Sequence, residues 1–259
     1  MVKPKKFLGQ HFLIQPHIAQ DIAQLVPQSF AGKVLEVGPG TGVLTQFLFK
    51  KWKTQCIAIE IDPESIAYLH EHFAEYSNQI VEGDFLKLDL NSLIQSKQAH
   101  EPWFVMGNFP YHISSQIMFA ILEQMPRVEG FAGMFQREVA QRIAAKPGSK
   151  EYGILSVLMQ AYYTITYHFS VEPEAFNPPP KVWSGVISGY KHKQPPHCDF
   201  SLFKDVVKTA FNQRRKMLPN ALKKFNLNST QWEQMGFSKL RPENLTYQDF
   251  ELICNTIQP

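Results

Sequence analysis

Val34-Leu35-Glu36-Val37-Gly38-Pro39-Gly40-Thr41-Gly42 decides the fold of this 259-residue chain. A short, mostly apolar run leads into glycines at alternate positions, and helical spacing resumes from about Leu44 to Lys53. Strand, tight turn and helix in that order open an α/β sheet. Glycines let the backbone turn sharply and approach a ligand closely. A dinucleotide fingerprint requires a third glycine at position 43, where Val43 stands, so NAD is disfavoured, and no Gly-Lys-Ser/Thr follows for a phosphate loop. Glu36 puts a negative charge beside the loop, which repels a pyrophosphate and suits a ligand bearing an amino group or a sulfonium.

The pattern repeats outward from this unit. Pro16 to Val26 has helical spacing, with Pro16 in the first turn. Cys56 to Glu60 reads as the second strand, followed by a helix capped by Asp62, started by Pro63 and running to about Tyr76. Ile80 to Glu82 is a third strand, Trp103 to Gly107 a fourth with a helix from Ser114 to Met125, and Gly130 to Phe135 a fifth with a helix from Arg137 to Ala144. Ile154 to Tyr163 is helical, whereas Thr164 to Val171 and Val186 to Tyr190 are β-like and joined without a helix. Between them Phe176-Asn177-Pro178-Pro179-Pro180-Lys181-Val182 cannot be helix or central strand, because three prolines remove three donors. The predicted fold is therefore α/β: a doubly wound, mostly parallel, Rossmann-like seven-stranded sheet with an antiparallel edge hairpin. Past a linker at His192 to His197 every periodic segment is helical (Phe200–Phe211, Met217–Phe225, Thr230–Met235, Tyr247–Ile257). We expect one domain over 1–191 and a small all-α domain over 192–259.

Composition fits a globular protein with a proper core: 44% hydrophobic and 19% charged residues. No stretch approaches the ~18 apolar residues that cross a bilayer, and the basic N-terminus lacks the apolar segment of a secretory signal. Cys56, Cys198 and Cys254 are an odd, scattered set without Cys-x-x-Cys, which points to reduced thiols in the cytoplasm and away from a metal site. The net charge of +3 is unevenly spread: 14 Lys and Arg against 17 Asp and Glu in residues 1–180, then 12 against 6 in 181–259. A basic tail domain on a mildly acidic body suits a polyanionic partner, although many solvated surfaces look alike.

Two further acids end strands. Glu60, about 20 residues after the glycine loop, can accept both hydroxyls of a ribose. Asp84-Phe85 can offer an acceptor and a ring to an adenine. With the glycine loop they describe a pocket for a cationic adenosine ligand, for which S-adenosylmethionine fits; capping acids and turn glycines are the plainer alternative. Asn108-Phe109-Pro110-Tyr111 then follows the fourth strand, at the edge where α/β sheets bind ligands. The same four residues also make an ordinary Asn-x-Pro turn. Facing a methyl donor, the Asn108 side-chain oxygen and the Phe109 carbonyl can accept the two N–H bonds of an aromatic amine such as adenine N6. Pro110 restricts Phe109 to an extended conformation, and Tyr111 offers a face for an extruded base.

These residues carry a resemblance. Lys6-Phe7-Leu8-Gly9-Gln10-His11-Phe12-Leu13, Glu36 through Thr45, Asn108-Phe109-Pro110-Tyr111, Phe176 through Val182 with Ser184, and Phe211-Asn212-Gln213-Arg214-Arg215-Lys216 together resemble the ribosomal RNA small-subunit adenine dimethyltransferase family over nearly the whole chain. The resemblance implies a class I S-adenosylmethionine-dependent methyltransferase. It would dimethylate N6 of two adjacent adenosines in the 3′-terminal hairpin of 16S rRNA on the small ribosomal subunit; separately, a monomer is expected, because no long exposed apolar stripe in the sequence suggests a dimer face. Carried over, the cofactor contacts are His11, Leu13, Gly38, Gly40, Glu60, Ile61, Asp84, Phe85 and Asn108. The catalytic group is Asn108, Phe109, Pro110 and Tyr111, with Phe176 on the opposite face of the target adenine. From spacing alone, Phe176 can equally wedge the proline loop into the core. Lys181, Arg214, Arg215 and Lys216 would contact RNA, with Lys3, Lys5 and Lys6 adding to the footprint. His11 and Phe109 depart from the family's usual Asn and Leu. Within the same chemistry the rival is a large-subunit rRNA methylase of the antibiotic-resistance type; from another class, an RNA-binding assembly factor.

Overall fold

A computed structural model describes residues 2–93, 101–124 and 126–257. Its elements in chain order are β1 (Phe12–Leu13), α1 (Pro16–Ala23), β2 (Lys33–Val37), α2 (Thr45–Trp52), β3 (Cys56–Glu60), α3 (Pro63–His72), β4 (Ile80–Glu82), β5 (Trp103–Asn108), α4 (Ser114–Glu123), β6 (Val128–Gln136), α5 (Arg137–Ile143), α6 (Ile154–Tyr162), β7 (Tyr163–Val171), β8 (Phe176–Asn177), β9 (Ser184–Lys191), α7 (Phe200–Asn212), α8 (Leu218–Ala221), α9 (Ser229–Met235) and α10 (Tyr247–Ile257). Internal contacts gather these into two units, Met1–Ala140 with Thr166–Tyr190, and Gln141–Ile165 with Lys191–Pro259.

The first unit is built on a seven-stranded sheet ordered β4-β3-β2-β5-β6-β9-β7. Strands β2 to β6 pair in parallel, and β9 runs antiparallel to β6. Val34, Leu35, Phe104, Val105, Met106 and Phe131 are fully buried, as a parallel sheet covered on both faces requires. The chain enters in the middle at β2, runs outward through β3 to β4, then crosses back to place β5 on the other side of β2. That reversal opens a crevice at the carboxyl ends of β2 and β5. Glycines bring the layers together there: a Cβ on Gly133 would lie 2.2 Å from the Gly107 carbonyl oxygen and 2.5 Å from the Phe109 ring. Removing both side chains lets the buried Phe109 ring pack on Phe135, centroids 4.7 Å apart.

A two-stranded sheet, unforeseen in the sequence, pairs β1 with β8, with Leu13 opposite Phe176. It ties the N-terminal segment to the start of the proline loop. The Lys5 ammonium fastens the same segment by pairing with Asp62, which also accepts from the Gln10 amide at 3.0 Å, Ser65 Oγ at 3.0 Å and the Glu64 N–H at 3.2 Å. Burial works against the Asp62 charge, but the Gln10, Lys5, Ser65 and Glu64 hydrogen bonds outweigh it and hold the carboxyl below its ordinary value.

The second unit is helical. α6 packs on α7 and α10, with Tyr162 edge-on to Phe203 and Tyr152 edge-on to Phe211. Asp199 caps α7 by accepting from the Leu202 N–H, and Asn228 and Gln231 close a reciprocal capping box on α9. The division expected at 191/192 left 141–165 with the sheet, whereas these residues group with the C-terminal helices. α6 is apolar nearly all round, so its sequence carries no single face that would assign it to a layer. Other elements end early. α3 stops at His72 and a 3-10 stretch Ala74–Gln79 follows; α8 is one turn, continued by 3-10 Lys223–Phe225. α4 ends at Glu123, and Met125, its expected last residue, lies outside the described residues. No helix among the described residues is long and apolar enough to cross a membrane.

Candidate active site

A cavity of about 240 Å³ occupies the crevice. The loop after β2 forms one wall, the ends of β3 and β4 another, and Asn108 to Ile113 a third, with Leu8 to Leu13 closing over them. Of the residues expected at a cofactor, His11, Leu13, Gly38, Gly40, Glu60, Ile61, Asp84, Phe85 and Asn108 all line it, as do Phe109, Pro110 and Tyr111.

Glu60 works as a brace. Its Oε2 accepts from the Gly40 N–H at 3.0 Å, and its Oε1 from the Ile61 and Asp62 N–H groups at 2.8 and 2.9 Å. The loop reaches the carboxylate because Gly38, Gly40 and Gly42 all have positive φ, a region unfavourable to L side chains. Burial raises the Glu60 carboxyl above its ordinary value, against the pull of the Asp62, Gly40 and Ile61 N–H groups. Glu36, opposite Met106 in β5, is only 1% exposed. Its Oε2 and the Thr45 Oγ1 have no hydrogen-bond partner. Burial pushes the Glu36 carboxyl up to about 8, with the Thr45 hydroxyl acting against the rise and the Glu60 charge adding to it. The fixed negative charge read from sequence is thus, in the free protein, a carboxyl largely protonated at neutral pH. Asp84 caps the turn after β4 through the Leu86 N–H at 3.0 Å and meets Lys87 at 3.2 Å.

Asn108 Nδ2 donates to the His11 carbonyl at 2.9 Å. A carbonyl can only accept, so the amide must turn its NH2 group to His11, which leaves Oδ1 to accept from another donor. His11 is itself fixed by Nδ1, which donates to the Pro178 carbonyl at 2.8 Å, leaving Nε2 as the ring's other polar atom. Its ring stacks on Tyr111, centroids 5.7 Å apart. The Phe109 N–H donates to Met134 O at 3.0 Å, which holds the tetrapeptide on β6. The Tyr111 hydroxyl shares a short hydrogen bond with Ser184 Oγ at the start of β9, and burial raises its pKa.

Phe176 is not among these neighbours. At 2% exposed it belongs to the same buried cluster as Leu13, Ile18 and Val171 and is not among the residues that line the cavity. It pairs across the two-stranded sheet with Leu13, which itself lines the cavity. The anchor formed by Lys5, Gln10 and Asp62 escaped the sequence reading, which placed Lys5 in an RNA footprint; the Asp-Pro cap signal at 62–63 was its visible trace. In the helical unit Phe211 to Lys216 line a second cavity, of about 330 Å³. Arg214 is engaged there, its Nε on Glu243 at 2.6 Å and an NH2 group on the Ser149 carbonyl at 3.2 Å. Arg215 and Lys216 are exposed, as is Lys181.

The family model for ribosomal RNA adenine dimethylase matches residues 1–258. The chain is 48% identical over 259 residues, 100% of its length and 95% of the relative's, to the Ribosomal RNA small subunit methyltransferase A of Bacteroides thetaiotaomicron. It is 46% identical over 258 residues, 99% of its length and 97% of the relative's, to the protein of that name in Flavobacterium johnsoniae. Among solved structures, a dimethyladenosine transferase from Plasmodium falciparum superposes with TM-score 0.80 at 25% identity, covering 95% of this chain and 97% of that one. The 23S rRNA methyltransferase ErmE shares the fold at TM-score 0.68 and 22% identity, over 94% and 99%. With its glycine loop, strand-end acids and Asn108 tetrapeptide gathered on one cavity, the chain belongs to the ribosomal RNA adenine dimethylase family.

Proposed function

We propose that this protein transfers methyl groups from S-adenosylmethionine to N6 of two adjacent adenosines near the 3′ end of small-subunit ribosomal RNA, giving N6,N6-dimethyladenosine. The small-subunit assignment is supported by the names of the 48% and 46% identical relatives. The donor fits the residues present. A buried, unpartnered Glu36 oxygen favours a cationic ligand, and the Glu60 carboxylate with the Asp84 and Phe85 edge suits an adenosine. When bound, S-adenosylmethionine supplies a methyl group activated by a sulfonium.

The observation that carries the reading is the orientation of Asn108, whose amide N is spent on His11 so that its oxygen is left to accept from a donor. Adenine N6 is a poor nucleophile because its lone pair is delocalised into the ring. Accepting its two N–H bonds at Asn108 Oδ1 and the Phe109 carbonyl draws the nitrogen toward tetrahedral geometry and aims the lone pair. The nitrogen would form its new C–N bond as the donor's S–CH3 bond breaks, the electron pair staying on sulfur as a neutral thioether, and would then give up a proton to water, so no strong base is required. Positioning supplies most of the rate. Tyr111, oriented by Ser184, provides a face for the extruded base. Arg215, Lys216 and Lys181 are free to meet phosphates, whereas Arg214 holds its own loop. We further propose that the protein acts as a monomer in the cytoplasm.

The test is transfer of tritium from labelled cofactor to undermethylated small subunits. Wild type should label the RNA and Asn108→Ala should not, while both bind subunits alike; equal labelling by the variant would refute the mechanism.

A further inference from the structure

Four tryptophans are present, and three are packed away: Trp52, Trp103 and Trp232 are buried. Trp183 is 42% exposed. It sits immediately before β9, and its neighbour Ser184 is the fully buried residue whose hydroxyl holds Tyr111. The Trp183 carbonyl accepts from the Arg137 N–H at 2.9 Å, where β6 gives way to α5. The Arg137 guanidinium lies over the indole, 5.5 Å from the ring centroid. Lys181, two residues earlier, is exposed. A cation over one face of an indole is an attractive contact that also narrows the side chain's rotamers. The indole, the most extensive π surface among the side chains, stays 42% exposed, one residue from the group that orients the target base.

We infer that Trp183, backed by Arg137, is a second stacking platform, which takes the unpaired base next to the adenosine held against Tyr111. This rests on the RNA-methylating reading and names how that site grips its strand. A nucleobase is the occupant the chemistry favours. Single-stranded RNA is recognised by splayed bases on aromatic faces and guanidinium planes, and Arg137 with exposed Lys181 places positive charge where the strand's phosphates would run. A guanidinium on the far face strengthens the arrangement, because the ring is held flat before the base arrives. Trp183 is not among the residues that line the cofactor cavity.

The experiment is steady-state methylation of small-subunit RNA by wild type, Trp183→Ala and Trp183→Phe. Each is assayed on intact RNA and on RNA with an abasic nucleotide beside the target. Trp183→Ala should raise KM for RNA about ten-fold, within the range found for stacked bases, leave cofactor affinity within about two-fold, and recover most of the loss as Trp183→Phe. The abasic nucleotide should cost wild type a similar factor and cost Trp183→Ala nothing more. A short oligoadenylate should quench the fluorescence of the exposed indole in wild type and not in Trp183→Phe. Methylation by wild type with Trp183→Ala unchanged, or an abasic cost equal in both proteins, overturns the platform and leaves the functional reading standing. Wild type that leaves the RNA unmethylated overturns that reading and the platform with it.

Discussion

Glu36 should make cofactor affinity climb with pH. Its carboxyl is pushed up to about 8 in the free protein by burial, so at pH 7 only about one tenth of it is ionised, and ionising the rest costs about 1.4 kcal/mol. A sulfonium or ammonium beside the unpartnered Oε2 favours the ionised form and expels the proton on binding. Affinity for S-adenosylmethionine should therefore rise by up to about 100-fold between about pH 6 and about pH 8 and level off above. Calorimetric titration in buffers of differing ionisation enthalpy would show release of close to one proton at the lower end. The ligand's own ammonium titrates near the top of this interval, so Glu36→Gln is the reference: it should bind more weakly and lose the climb. The free protein should respond oppositely. A carboxyl raised on folding stabilises most at low pH and loses that contribution as pH rises from about 4.5 toward about 8, so Tm should fall across that interval in wild type and not in Glu36→Gln. Wild-type affinity independent of pH, or a climb retained in Glu36→Gln, would refute the reasoning.

Asp62→Asn should loosen the N-terminal segment, costing about 1–3 kcal/mol by denaturant titration and exposing Lys5 and Lys6 to trypsin. Because the Asp62 carboxyl is held low, its stabilisation is present above about pH 4 and is lost as pH falls further; trypsin sensitivity of wild type after an acid pulse checks the sign. Gly133→Ala must push the Gly107 carbonyl and the Phe109 ring apart, and should cost about 2–3 kcal/mol together with methyl transfer, read as a lower denaturation midpoint and lost labelling. Arg215→Ala should weaken RNA binding and lower the slope of log affinity against log salt by about one. Arg214→Ala should lower the thermal stability of the helical unit through lost contacts to Glu243 and Ser149, with little change of that slope.

The parallel sheet was legible because its strands are short apolar runs with punctuation at both ends. Glycine after Val37, an acid at Glu60 and an amide at Asn108 each mark a carboxyl edge, so chemistry and topology were read from the same residues. Short-range patterns could not reveal partners far along the chain. β1 and β8 are two residues each, below the length at which alternation is visible, and pair across more than 160 positions. Phe176 reads alike as a stacking ring or a core ring, and the fold buries it in the cluster that holds Leu13. Glu36 was identified as a site residue, but its charge state depends on burial and on Thr45 and Glu60, which spacing does not convey. Arg214, Arg215 and Lys216 read as one basic run, and the fold divides them into one brace and two exposed cations.

The His11 contacts set the order in which the site can come into being. Its carbonyl and ring are fixed by Asn108 and Pro178, 97 and 167 positions further on. Contacts of such long sequence separation form only after most of the chain is available. A nascent chain that has exposed the glycine loop and Asn108 already holds the His11 carbonyl that turns the amide, but still lacks Pro178, which fixes the His11 ring. Until the proline loop follows, the ring that stacks on Tyr111 lacks that anchor. The contacts around Tyr111 are thus complete only in a chain long enough to have closed its own sheet.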